Sequence, residues 1–224
     1  TVENNTVNGK PLVYLENTSN QTITDAGQVI LVNCDNITLA NLNLSNASVG
    51  VELCGTNNSR IMNNTVSDNM LGIALTESSS GNTLTNNTVN KNGAAGIYLA
   101  SSSNDNTVRN NIANSNTIWG IWLDSSNNNT IYNNYFDNLD NARDNGNNTW
   151  NTTNTTGPNI VGGPYLGGNY WSDYSGNDTN GDGFGDTPYN NITGDSNKDY
   201  LPLVPAAATL VGYVNFTGRD PNGT

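Results

Sequence analysis

The residues best suited to chemistry lie near the C-terminus, in the run Asp178-x-Asn180-x-Asp182-Gly183-Phe184-Gly185-Asp186. Side-chain oxygens at positions 1, 3 and 5, a glycine at 6, a backbone carbonyl from Phe184 at 7 and a carboxylate at 9 make the oxygen pattern of a Ca2+ loop. Position 12 is Tyr189 where such loops carry Glu, so Asp173, Asp195 or Asp199 is expected to supply a further carboxylate. A second set is aromatic: Tyr98, Trp119 and Trp122 suit either a carbohydrate-binding platform or packing beneath a loop. Acids are scattered at Asp68, Glu77, Asp105, Asp124 and Asp137, and the arginines of the array are Arg60, Arg109 and Arg143. Glycoside hydrolysis needs two carboxylates at a set separation. No such group stands out here, and Asp105 with Arg109 reads as a surface ion pair. Copper prefers imidazole and sulfur, yet the chain has no His, and its sulfur donors are Cys34, Cys54, Met62 and Met70.

What must carry these groups is a repeat. Ile61, Leu84, Val108 and Ile131 recur at steps of 23, 24 and 23, while Gly72, Gly96 and Gly120, and Leu75, Leu99 and Leu123, recur at 24. A fixed period in the twenties marks a solenoid. Within each unit apolar and polar residues alternate, as in Ile-Ala-Leu, Ile-Tyr-Leu and Ile-Trp-Leu, which is strand periodicity. No window has the spacing of an amphipathic helix, which sets aside a leucine-rich repeat in favour of a parallel β-helix. Three strands per coil are expected, around Ile61, Val66 and Ile73 in one unit, with corners at the Asn pairs and at the Gly. Coils stacked about 4.8 Å apart would place Ile73, Ile97 and Ile121 in one interior column. Asn64, Asn87, Asn111 and Asn134 would form a ladder of amide hydrogen bonds, so the 47 asparagines read first as structural.

The totals agree. Apolar residues make up 34% and charged ones only 12%, a balance that a narrow coil with a thin apolar column tolerates. The net charge is −12 with seven basic residues set singly, which excludes nucleic acid and anionic membrane surfaces as partners. No apolar run is long enough for a transmembrane helix. Residues 1–157 read as β-helix coils, 158–204 as an aromatic and Gly-rich C-terminal cap holding the calcium loop, and 205–224 as a linker and the first strand of an incomplete module. Thr1 lies in repeat-like sequence, which reads as a mature or excised chain. Trp150 is expected to re-enter and cover the last apolar layer. Cys34 and Cys54 are 20 residues apart, near one coil, and read equally as a disulfide and as two free thiols, depending on the alignment of coils. More than a dozen Asn-x-Ser/Thr sequons, among them Asn17, Asn36, Asn46, Asn63, Asn86, Asn128, Asn151, Asn191 and Asn215, are candidate glycan acceptors in an exported protein.

The tail GGNYWSDYSGNDTNGDGFGDTPY, followed by DYLPLV, resembles the C-terminal signature of the NosD-type β-helix repeat family, and the repeat SSxNNTIxNNxxxxNxxGIxL is similar too. That family includes periplasmic copper-site maturation proteins and secreted or surface-layer-associated proteins of methanogenic archaea. The resemblance, over about residues 30 to 204, implies a right-handed β-helix outside the cytoplasm. Together these features predict a non-catalytic, calcium-stabilised and glycosylated module of a cell-surface protein, packing end to end or laterally with itself or a neighbouring envelope protein. The alternatives are a carbohydrate-binding or polysaccharide-processing β-helix and a NosD-like copper accessory protein.

Overall fold

The structure, a computed structural model, describes residues 4–194 and 197–205. The described residues are all-β, with no helix. Each coil contributes one strand to each of three parallel sheets. Sheet A stacks Lys10–Glu16, Gln28–Val32, Val49–Cys54, Leu71–Thr76, Ala95–Ala100, Trp119–Asp124, Asp140–Asp144 and Ile192–Gly194 in that order, with Thr6–Val7 pairing antiparallel at its outer edge. Sheet B stacks Thr22–Ile23, Thr38–Ala40, Arg60–Met62, Thr83–Thr85, Thr107–Arg109 and Thr130–Tyr132. Sheet C stacks Asn43–Ser45, Thr65–Ser67, Thr88–Asn90, Ile112–Asn114, Tyr135–Asp137 and Tyr170–Trp171. The three strands expected around Ile61, Val66 and Ile73 are therefore one strand of each sheet.

Alternation decides which side chains enter the core. Val29, Val51, Ile73, Ile97 and Ile121 stand in register on sheet A, as do Leu31, Leu53, Leu75, Leu99 and Leu123. Leu39, Ile61, Leu84, Val108 and Ile131 do the same on sheet B, and all of these are fully buried. Burying one such side chain stabilises by about 1.5–3 kcal/mol, so every coil adds several kcal/mol against the entropy of its own ordering. On sheet C the column runs Val66, Val89, Ala113, Phe136 and Trp171, ending in two large aromatics. Phe136 stacks on Trp171 at 4.9 Å, Trp171 on Tyr189 at 4.2 Å, and Trp150 closes against both Phe136 and Trp171 while only 1% exposed. Trp150 covers the last layer as expected. Beyond residue 158, Tyr170–Trp171 extends sheet C and Ile192–Gly194 extends sheet A.

The corners work differently from the simple expectation. The first residue of each Asn pair, Asn63, Asn86, Asn110 and Asn133, takes a left-handed φ of 54–57°, which asparagine tolerates better than most residues. The second, Asn64, Asn87, Asn111 and Asn134, turns inward and is buried. Glycine does not make the Ile-flanking corner. Gly72 and Gly96 lie inside strands of sheet A without a positive φ, and a Cβ there would come within 2.4 Å of the Gly96 carbonyl oxygen and 2.7 Å of Asn116 Nδ2, respectively. Those positions need glycine for close approach.

Candidate functional site

The first question is what the polar residues are occupied with. Asn64 Nδ2 donates to Asn87 Oδ1 at 3.0 Å, Asn87 to Asn111 at 2.9 Å, Asn111 to Asn134 at 3.0 Å and Asn134 to Asn169 at 2.9 Å. The same oxygens accept backbone N–H groups of the preceding coil, as Asn111 Oδ1 does from Asn87 at 2.9 Å. Two further ladders run parallel: Asn82, Asn106, Asn129 and Asn148, and Asn69, Asn92, Asn116, Asn138 and Asn141. A shorter hydroxyl ladder links Cys34, Thr56 and Ser79 through backbone N–H donors. These bonds satisfy buried backbone groups at the corners, where strand pairing lapses.

All three amide ladders point the same way, so their N–H ends face the C-terminus and need acceptors there. Three carboxylates stand there. Asn148 donates to Asp144 Oδ1 at 2.8 Å, Asn141 to Asp173 Oδ1 at 2.6 Å, and the Asn169 backbone N–H to Asp199 Oδ2 at 2.6 Å. Asp144 also accepts from Trp150 Nε1 at 2.8 Å, and Asp199 from Trp171 Nε1 at 2.9 Å. Burial pushes the Asp199 carboxyl up from 3.8 to about 6, against donors from Asn169, Trp171 and Leu201 that pull it down. Burial first, and then Asp173 beside it, pushes the Tyr189 hydroxyl up; that hydroxyl donates to Asp173 at 2.9 Å. Asp173 and Asp199, proposed from the sequence as extra calcium ligands, are thus engaged as ladder ends. Asp195 lies outside the described residues.

In the calcium-type loop, Asp178 Oδ1 accepts from the N–H of Gly181 at 2.8 Å and of Asp182 at 3.1 Å, and Oδ2 from Gly183 at 2.9 Å. Asn180 Oδ1 accepts from the Asp182 N–H and Asp182 Oδ1 from the Phe184 N–H, both at 2.9 Å. Asp186 turns to Thr179, accepting from its N–H at 3.0 Å and hydroxyl at 2.8 Å. The loop holds itself by Asx turns. Among the described residues no three acidic, cysteine or histidine side chains are grouped to hold a metal.

Tyr98, Trp119 and Trp122 do come together, on the outer face of sheet A. Tyr98 pairs with Trp122 in register, and Trp122 with Arg143. Ring centroids lie 4.8 Å apart for Tyr98 and Trp122 and 4.7 Å for Trp119 and Trp122, both tilted. The Arg143 guanidinium sits 5.4 Å from the Trp119 ring centre and 5.3 Å from that of Trp122. Arg143 was not read from the sequence as part of this group, although it falls one coil after Trp122. Trp122 Nε1 and Arg143 Nε are both shielded from solvent and lack acceptors.

The remaining site residues disperse. Asp68 and Asp105 occupy left-handed corners, as does Glu77, and Asp124 and Asp137 end strands on different sheets. Lys10–Asp25 at 3.5 Å is the only ion pair among the described residues, so the expected Asp105–Arg109 pair is not made. Of the two readings open for Cys34 and Cys54, the structure has the free thiols. The coil is 22 residues long there, which pairs Cys54 with Val32 and sets Thr56 beside Cys34, and both thiols are free. Cys34 is buried, its Sγ donating toward Leu15 and Val32 carbonyls. Among the sequons, Asn17, Asn36, Asn46, Asn63, Asn86 and Asn128 are exposed at positive φ, Asn191 is exposed with its amide on Asp173, and Asn151 is half-buried. Asn215 lies outside the described residues. Asn63-Asn64-Thr65 and its equivalents are a corner residue, a ladder residue and the first residue of a strand, so solenoid geometry alone writes the sequon.

A family model described as periplasmic copper-binding protein (NosD) matches residues 1–176. The chain belongs to the NosD family. No curated protein and no solved structure gives a significant match. The family description names copper, and the donors of this member do not fit it. There is no histidine, Cys34 is locked inside the coil, Cys54 ends a strand of sheet A, and Met62 and Met70 lie on sheet B and beyond sheet C. Neither cysteine belongs to a group of three acidic, cysteine or histidine side chains among the described residues.

Proposed function

We propose that this NosD-family chain is a non-catalytic scaffold module of an exported envelope protein, a stiff spacer or assembly surface on the cell exterior. The observation that carries the reading is the fate of the polar residues: asparagines form three continuous ladders inside the coil and left-handed corners outside it, and the acids outside the ladders do not converge. The periplasmic family description is compatible with export. Glycans on the exposed corner asparagines and Ca2+ in the Asp178–Asp186 loop are part of the proposal. Packing end to end or laterally with itself or a neighbouring envelope protein is part of the proposal.

The test is equilibrium dialysis against Cu(I) and Cu(II), run alongside a reducing-sugar assay on polysaccharides. A scaffold retains no stoichiometric copper and releases no sugar. Uptake of one copper per chain would return the protein to a metal-accessory role, and sugar release would make it an enzyme.

A further inference from the structure

We infer that the outer face of sheet A carries a saccharide-binding subsite, built on Tyr98, Trp119 and Trp122 with Arg143 as a hydrogen-bond donor, for an uncharged glycan chain. The inference does not depend on the scaffold reading. Three aromatic side chains from two neighbouring coils meet at 4.7–4.8 Å, and the outward column of Tyr98 and Trp122 continues toward the N-terminus as Ala74, Glu52 and Ile30, so the cluster is confined to these coils. Rings exposed on a sheet face offer apolar area to the C–H faces of sugars at low cost in side-chain entropy. What marks this patch out is its orphaned donors. Trp122 Nε1–H and Arg143 Nε–H belong to side chains in direct contact, are shielded from water and have no acceptor. Leaving a buried donor unpaired costs about 1–3 kcal/mol, so a ligand whose hydroxyls meet these donors as the Arg143 guanidinium turns aside from the rings gains affinity the free protein lacks.

A glycan is such a ligand, since each hydroxyl both accepts and donates. The acceptors it would find are Asp140, exposed and opposite Trp119 in register, and Asp124, one coil after Ala100 in register and close enough to raise the Tyr98 hydroxyl's pKa after burial has done so. The charge of the chain selects among glycans. At −12 net, with acids on both sides of the patch, polyuronates and polyphosphates are repelled. A peptide is a poorer fit, because the patch is a face of tilted rings in contact, not a groove that could receive a side chain.

The experiment is calorimetry and tryptophan fluorescence with soluble neutral oligosaccharides (β-glucan, mannan and galactan fragments) and with oligogalacturonate as the charged arm. Trp150 and Trp171 are buried, so a ligand-dependent spectral change reports on Trp119 and Trp122. At least one neutral fragment binds, and oligogalacturonate binds more weakly. Trp122→Ala lowers affinity at least tenfold. Trp122→Phe, which keeps a ring and loses the N–H, and Arg143→Lys, which keeps the charge and loses Nε–H, each lower it severalfold without moving the melting temperature. Binding of no neutral fragment at millimolar concentration, preference for the acidic one, or affinity unchanged in Trp122→Ala overturns the inference.

Discussion

Replacing Asn111 by Ala removes one rung from the central ladder, and the structure sets the size of the effect. The Asn111 side chain is fully buried; it donates to the Leu84 and Arg109 carbonyls and to Asn134 Oδ1, each at 3.0 Å, and accepts from Asn87 N and Nδ2, each at 2.9 Å. After truncation the Asn87 backbone N–H has no partner, and its Nδ2 keeps only the Ile61 carbonyl at 2.8 Å. Two orphaned donors at about 1–3 kcal/mol each and a small cavity give a loss of about 4 kcal/mol, a large part of the 5–15 kcal/mol typical of a folded domain. The corner one coil earlier is the control. Asn86 is exposed at φ 56°, so Asn86→Gly should change stability by roughly 0.5 kcal/mol or less, and Asn86→Ala should cost about 1–2 kcal/mol through left-handed strain alone. The assay is guanidinium unfolding of the four proteins followed by one probe, because solenoid repeats need not unfold in a single step. A loss below about 1 kcal/mol for Asn111→Ala, the usual net worth of one hydrogen bond, or one equal to that of Asn86→Ala, refutes the claim that the ladder is a buried structural element.

Three further outcomes follow from the geometry. Because burial raises the Asp199 carboxyl from 3.8 to about 6 in the folded chain, its contribution to stability is complete below pH 3.8 and is lost as pH rises through 6, on the order of 3 kcal/mol; Asp199→Asn should flatten that part of the stability–pH curve, and an unchanged curve counts against it. Thiol titration should find Cys34 unreactive in the native protein and both cysteines reactive after unfolding, with melting unaffected by reductant; one thiol fewer than two in denaturant would mean a bridge the register forbids. If Ca2+ occupies the Asp178–Asp186 loop, chelation should lower the melting temperature and Asp182→Asn should reproduce the shift; identical curves with and without chelator would dismiss calcium there.

The repeat made the coil legible because side-chain alternation and a period in the twenties admit few other structures. Ile73, Ile97 and Ile121 are where the period puts them, and the ladder from Asn64 to Asn134 is buried as the stacking demands. What the period could not reveal depends on contacts between segments far apart. Cys34 and Cys54 are 20 residues apart in a 22-residue coil, and that two-residue difference moves the sulfurs to different rungs. The glycines looked like corners because they punctuate the repeat, yet their role is to leave room for a ladder amide and a neighbouring carbonyl. Asp144 falls where the stacking would place another leucine, in register with Leu123, and Asp173 and Asp199 stand outside the period altogether. Their meaning appears only when the chain beyond Asp140 folds back over the last coil and three aligned rows of amides need acceptors. The Tyr98, Trp119 and Trp122 grouping followed from the repeat; Arg143 was hidden by a shorter coil of 21 residues between Trp122 and its partner.

Side-chain amide hydrogen exchange by NMR on asparagine-labelled protein tests the central claim most directly. The account predicts slowly exchanging Nδ2 protons for a subset of asparagines, including Asn64, Asn87, Asn92, Asn106, Asn111 and Asn134, set apart from the fast-exchanging corner residues such as Asn63 and Asn86. Uniformly fast exchange of every asparagine side chain would contradict it.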